Sequence, residues 1–364
     1  MAHTVIQSIL GLKIKDKVNN ISLMNKIRLR TEKATIVQRF GNLFDEGVQP
    51  GEFAQNAGVQ NVMILLQNPY VIHDIKESDL DVPSILPMLQ YLSDYFQSFL
   101  FCLWLVKDNG ITMNQAYCYS KIKNSKDVFT AHSRQQLTTK ADGSSGLTEF
   151  TKNEILQAVH YFNTYFQDSS LPERQSYSWN DSNNIDDAQV PGSLSLNTIT
   201  DSTVNISVTP AYQADMYAQI TRFERARSFI NAARTQSDLF MKITYYCSFL
   251  EVLFSGNNSE VNYRIRERCS IIIGKTFQER KEIFNTMSAI YNVRSAFIHG
   301  AKLDGKKMKA EIIESHSKYM DELCRKVFFE LLENHKALFE FKTDEELNMY
   351  FIDLIFNMNL DKPN

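Results

Sequence analysis

The chain has 364 residues, more than one ordinary domain, so two domains are the default expectation. Hydrophobic residues make up 43% and charged residues 22%, a globular composition that can bury a sizeable core. The net charge of −3 excludes a globally basic nucleic-acid binder, so any such signal must be local.

The cysteines Cys102, Cys118, Cys247, Cys269 and Cys324 are scattered and form no C-x-x-C. That argues against a disulfide scaffold or a zinc site and fits a reducing cytoplasm. They read as small buried hydrophobes. No charged leader with an apolar run and a cleavage site opens the chain. The most apolar window, Phe96 to Val106, is roughly half of a membrane crossing and reads as the end of a core helix. No membrane association is expected.

Residues 1 to 80 carry short apolar clusters, Val5-Ile6, Ile9-Leu10 and Val62 to Leu66, between polar stretches, with turns at Gly41, Gly47 and Gly51. Mixed short strands and helices are expected there. From Ser84 to Asp108 the residues Leu89, Leu92, Phe96, Phe99, Leu103 and Val106 repeat at three and four, which predicts a helix ended by Asn109-Gly110. Ala116 to Tyr119 and Val128 to Thr139 read as a hairpin around a polar turn. His132 and Arg134 share a face of its second strand and read as solvated. Thr151 is placed to cap an amphipathic helix, Glu154 to Phe166.

Residues 167–207 are rich in Ser, Asn, Asp and Thr and read as a polar linker or loop. From Pro210 the pattern is helical nearly throughout. Helices are predicted over 210–235, 238–255, 261–275, 277–300, 307–342 and 344–358, with breaks at residues such as Gly256, Gly274 and Gly305. The fold class is therefore α+β: a mixed α/β domain over 1–166, the linker, and an all-α bundle over 208–360. His316 and His335 lie beside the stripe of the long helix, too far apart to chelate one metal, and no metal site or cofactor is expected.

The chemistry concentrates in Tyr291 to Gly300. Within 277–300 the residues Ile283, Met287, Ile290, Arg294 and Phe297 form one stripe, so Arg294 lies on the apolar side. A buried guanidinium needs a carboxylate or a bound anion, and Glu251, inside the apolar run Phe249 to Phe254, is the expected partner. His299 follows five positions later, about 140° round an ideal helix. The two side chains do not share a face, so they converge only through a distorted helix end or a second chain. The negative end of the helix dipole suits a cation at His299. An arginine that holds a phosphate and a histidine that moves a proton suffice for RNA cleavage without a metal.

Phe249-Leu250-Glu251-Val252-Leu253-Phe254, then Tyr263-Arg264-Ile265-Arg266-Glu267-Arg268, then Ile290 to Gly300 together resemble the HEPN superfamily, most closely its ApeA-type branch. There a glutamate-bearing helix, an arginine-rich helix and a terminal R-x4-6-H motif followed by Gly recur in this order. The resemblance covers roughly 205–345. It implies a helical bundle that dimerises through its C-terminal half, with two motifs forming one composite, metal-independent endoribonuclease site. Carried over, Arg294 binds the scissile phosphate and His299 is the acid or base, with Asn292 and Ser295 in support. Attack by the RNA 2′-hydroxyl leaves a 2′,3′-cyclic phosphate. Ser295 stands where many members carry Asn, Asp or His. Many members serve phage defence, abortive infection or toxin systems, which would make residues 1–166 a sensor of a phage or host trigger. The alternative is an inactive HEPN module that dimerises and binds nucleic acid.

Between Val261 and Ala310 eleven Lys and Arg face four acids, a net +7 in a chain of −3. Arg264, Arg266, Arg268, Lys302, Lys306 and Lys307 are the candidate RNA contacts. The other reading of the three arginines is interhelical pairing.

Overall fold

The computed structural model describes residues 2–16, 20–24, 27–33, 36, 52–76, 85–121, 128–132, 137–166, 220–255, 261–301, 305 and 309–357. The architecture is α+β, with an antiparallel sheet and its helices in the N-terminal part and a helical C-terminal part.

The first strand, β1 (Ala2–Leu10), is central. With β2 (Leu12–Ile14), β3 (Asn20–Met24), β4 (Ile27–Arg30), β5 (Tyr70–Lys76), β6 (Thr112–Lys121), β7 (Val128–His132) and β8 (Thr148–Phe150), it builds two sheets. The larger has the order β3-β4-β5-β1-β6-β7 with every neighbouring pair antiparallel; β2 and β8 form a small parallel pair. Opposite Val5 stand His73 on β5 and Cys118 on β6.

Both faces of β1 are covered. Val5 and Ile9 join the main core, while Ile6 joins a smaller cluster with Tyr70, Ile72 and Tyr117. Helix α1 (Glu52–Ala57) and helix α2 (Val59–Gln67) close that second face through Ala54, Ala57, Val62 and Leu65. A strand buried on both sides carries no clean alternation. This is why residues 1–80 read poorly as sequence. The expected hairpin is β6–β7, in register from Ala116 opposite His132 to Ser120 opposite Val128. The second strand is described over Val128–His132 and residues 137–139 are not strand, while the His132 side chain and Arg134 lie outside the described residues.

Helix α3 (Ile85–Val106) serves two layers. Its Phe99 and Tyr95 meet Phe162 of α4 (Lys152–Tyr165), a helix capped by Thr151 in a full capping box with Glu154. On the bundle side, Phe101 packs on Phe328 at 5.1 Å and Trp104 donates to Asp321 at 2.8 Å. One continuous hydrophobic cluster therefore runs from the sheet into the bundle. The expected 167–207 linker and the start of the bundle at 208 lie outside the described residues.

The bundle comprises α5 (Arg222–Arg234), α6 (Leu239–Phe254), α7 (Val261–Ile273), α8 (Phe277–His299), α9 (Ala310–Asn334) and α10 (Asp344–Asn357). Helix α6 is its hub and packs on α5, α7, α8 and α9. Its Phe249, Leu250, Leu253 and Phe254 are fully buried. Thr221, Asp238 and Thr276 cap α5, α6 and α8, each accepting a backbone N–H.

The helix expected over 307–342 is shorter. It leaves helical geometry at His335 (φ −135°, ψ 35°) and continues as a 3-10 turn, Lys336–Phe339. The turn lets Phe339 reach Phe223 and Phe328, which a straight helix would carry past the core. His335 Nδ1 lies 2.6 Å from the Tyr350 hydroxyl, a contact that ties the turn to α10. Among the described residues no helix is long and apolar enough to cross a membrane, and all five cysteines are buried, none of them in a disulfide.

Candidate active site

Helix α8 is regular to its last residue. Gly300 takes the left-handed conformation (φ 66°), its N–H bonds to Ala296 O, and the Ala301 N–H reaches the same carbonyl at 3.0 Å. Because the helix stays unbroken, Arg294 and His299 keep their separation, about 140° round the axis and about 7.5 Å along it. A distorted helix end does not bring them together.

Arg294 sits at the border of the buried face formed by Met287, Ile290, Tyr291 and Val293. Its Nη2 lies 3.2 Å from Glu251 Oε1 and 3.3 Å from Oε2, so the expected partner is the one found. One nitrogen straddles the carboxylate, and this is not the two-pronged fork an arginine can make. Nε is shielded from solvent and has no hydrogen-bond partner among the described residues. Burial raises the Glu251 carboxyl above its usual range, and Arg294 offsets only part of that rise.

Two further contacts hold this stretch against α6. Tyr291 OH donates to Cys247 O at 3.4 Å, and Phe297 stacks on Phe240 with centroids 5.2 Å apart. Since the later residue of α8 meets the earlier residue of α6, the helices run antiparallel and the N-terminus of α6 lies near His299. Burial pushes the Tyr291 hydroxyl and the Cys247 thiol upward, so both stay neutral packing groups.

Asn292, Ser295 and His299 are exposed and fall at positions i, i+3 and i+7, a single solvent-facing stripe. Phe297 and Ile298 beside them are 39% and 47% exposed. The chain thus presents two separate features: a braced guanidinium at the bundle edge, and a histidine on an open stripe flanked by apolar side chains.

Arg268 is not a surface contact for RNA, contrary to expectation. It is 5% exposed; it donates to Phe254 O at 2.7 Å and to Asn348 Oδ1 and lies over the Phe351 ring at 4.8 Å. Desolvation lowers its pKa to about 10. It ties α7 to α6 and α10. Arg266 is partly committed as well, with Nε donating to Phe284 O at 2.9 Å. Arg264 is partly buried, and Lys302, Lys306 and Lys307 lie outside the described residues.

A second polar constellation escaped the sequence reading. Asp321 of α9, 1% exposed, accepts from Trp104 Nε1 and Tyr246 OH at 2.8 Å each and pairs with Arg325 at 3.1 Å. Around it Asp108 accepts the Ala141 N–H, Arg234 donates to Asn109, Lys242 donates to Ala233 O, and Ser317 donates to Ala141 O. Desolvation lowers the Lys242 ammonium to about 8, while burial and the nearby Asp321 raise the Asp108 carboxyl. The signal was available: Asp321 falls with Ser317, Cys324 and Phe328 on the buried stripe of its helix.

Comparison of the chain with family models, with curated proteins and with solved structures finds no match.

Proposed function

We propose that the protein is a metal-independent endoribonuclease of HEPN type that acts as a homodimer. The observation that carries this reading is the braced Arg294: a guanidinium positioned by Glu251 on the helix whose exposed end presents His299. The order of the glutamate, arginine-rich and R-x4-H blocks supports it. Because the two half-sites of one protomer face apart, a second copy completes the site, and the half-exposed Phe297 and Ile298 provide apolar surface for that contact.

At such a site Arg294 neutralises the non-bridging oxygens of the scissile phosphate. An imidazole takes the proton of the 2′-hydroxyl as O2′ bonds to phosphorus. The P–O5′ bond breaks, O5′ receives a proton, and a 2′,3′-cyclic phosphate remains. With two copies of His299 present, one serves as base and the other as acid. Asn292 and Ser295 share the His299 stripe and support the RNA. The setting that fits is a cytoplasmic antiphage or abortive-infection effector whose N-terminal part responds to a phage or host trigger.

The test incubates wild type, His299→Ala and Arg294→Ala with total RNA in EDTA and maps the new ends. Cleavage with cyclic-phosphate ends by wild type alone is expected. Equal cleavage by His299→Ala would remove the assignment. RNA binding without cleavage under any trigger would favour the inactive module.

A further inference from the structure

Helix α7 begins at a surface hollow of about 450 Å³ lined by Val261, Asn262, Tyr263 and Arg266. That size is within the range of small-ligand sites. Tyr263 is 50% exposed and meets Phe284 of α8 edge to face, centroids 5.5 Å apart at 79°. The Arg266 guanidinium lies 3.9 Å from the centroid of the same ring, and its Nε is tied to Phe284 O. One phenylalanine therefore holds a tyrosine ring and a guanidinium plane side by side at the rim of the hollow. Groups already held in place lose little freedom when a ligand arrives. Among the described residues the buried Oδ1 of Asn262 has no hydrogen-bond donor.

The place of the hollow relative to Arg294 follows from the helix pair. Helices α7 and α8 form an antiparallel hairpin, with Arg280 bonded to Gly274 O near the turn and Arg266 bonded to Phe284 further along. Arg294 lies ten positions beyond Phe284, about 15 Å along the axis. A few nucleotides of single-stranded RNA cover that span.

We propose that this hollow is a base-stacking subsite, in which an unpaired RNA base a few nucleotides from the scissile phosphate lies against Tyr263 beside Arg266. The proposal rests on the endoribonuclease reading. Aromatic and guanidinium planes are what single-stranded RNA uses as platforms, and such stacking tolerates any base.

The test uses short single-stranded RNAs with 2-aminopurine at successive positions, titrated into full-length His299→Ala protein. Fluorescence is expected to quench at one position. Adding Tyr263→Ala should weaken binding about tenfold and restore the fluorescence, whereas Tyr263→Phe should preserve both. Unchanged affinity and quench in Tyr263→Ala, or no RNA binding at all, overturns the subsite. Free AMP binding as tightly as the oligonucleotide, with the same Tyr263 dependence, overturns its RNA form. Wild-type cleavage, scored separately in EDTA, separates the two ideas. Cleavage without a Tyr263 effect removes the subsite alone. A Tyr263-dependent quench without cleavage under any trigger upholds the stacking site and removes the nuclease.

Discussion

Replacing Asp321 with alanine should destabilise the whole chain, because this one carboxylate joins three elements. Trp104 of α3 and Tyr246 of α6 both donate to its Oδ1 at 2.8 Å, and both are fully buried. Stranding each of those donors costs about 1–3 kcal/mol. Arg325 also loses its partner at 3.1 Å, although its side chain is 15% exposed and water recovers part of that loss. The sum, about 3–5 kcal/mol, matches the usual cost of breaking a buried pair and is a large share of a typical stability of about 5–15 kcal/mol. Asp321→Asn keeps a carbonyl acceptor but no charge, and should cost about half as much. Urea unfolding followed by circular dichroism measures both. If Asp321→Ala unfolds within about 1 kcal/mol of wild type, the node does not hold the sheet-bearing part to the bundle and the reasoning fails.

Two other outcomes follow from the candidate site. Glu251 has its carboxyl raised by burial, so its contribution to stability is present below the ordinary carboxylate range and is lost as pH rises through the folded pKa. Glu251→Gln should therefore gain stability relative to wild type between pH 4 and pH 7; a relative loss would mean that the Arg294 ion pair outweighs desolvation. Gly300→Ala meets no neighbouring atom but must hold a left-handed backbone. It should cost about 1–2 kcal/mol and loosen the turn carrying His299, read as a lower melting temperature and faster amide exchange at residues 296–299. An unchanged melt would place the end of α8 elsewhere.

Helix periods carried most of the bundle. Every helix from α5 to α10 falls within a predicted segment, because a one-sided apolar stripe and a polar cap are local signals. The Arg294–Glu251 pair was legible for a related reason: a charge on an apolar stripe must find its opposite, and few acids lie on a facing stripe. The sheet was less legible. Strand β1 pairs with β5 some seventy residues on and β6 more than a hundred residues on, and it buries both faces, so neither its neighbours nor its pattern is written nearby.

Sequence spacing was enough to set Arg294 and His299 apart on one helix, since helix geometry follows from the count of residues between them. Three other matters needed the assembled tertiary structure. Arg268, in a run of similar arginines, is an internal tie because Phe254, Asn348 and Phe351 converge on it from two other helices. Asp321 became a hub because α3 and α6 deliver Trp104 and Tyr246 to it across the chain. The regular end of α8 shows that Arg294 and His299 of one chain face apart. Spacing along a chain fixes which face a residue occupies, but what meets that face depends on packing between distant segments.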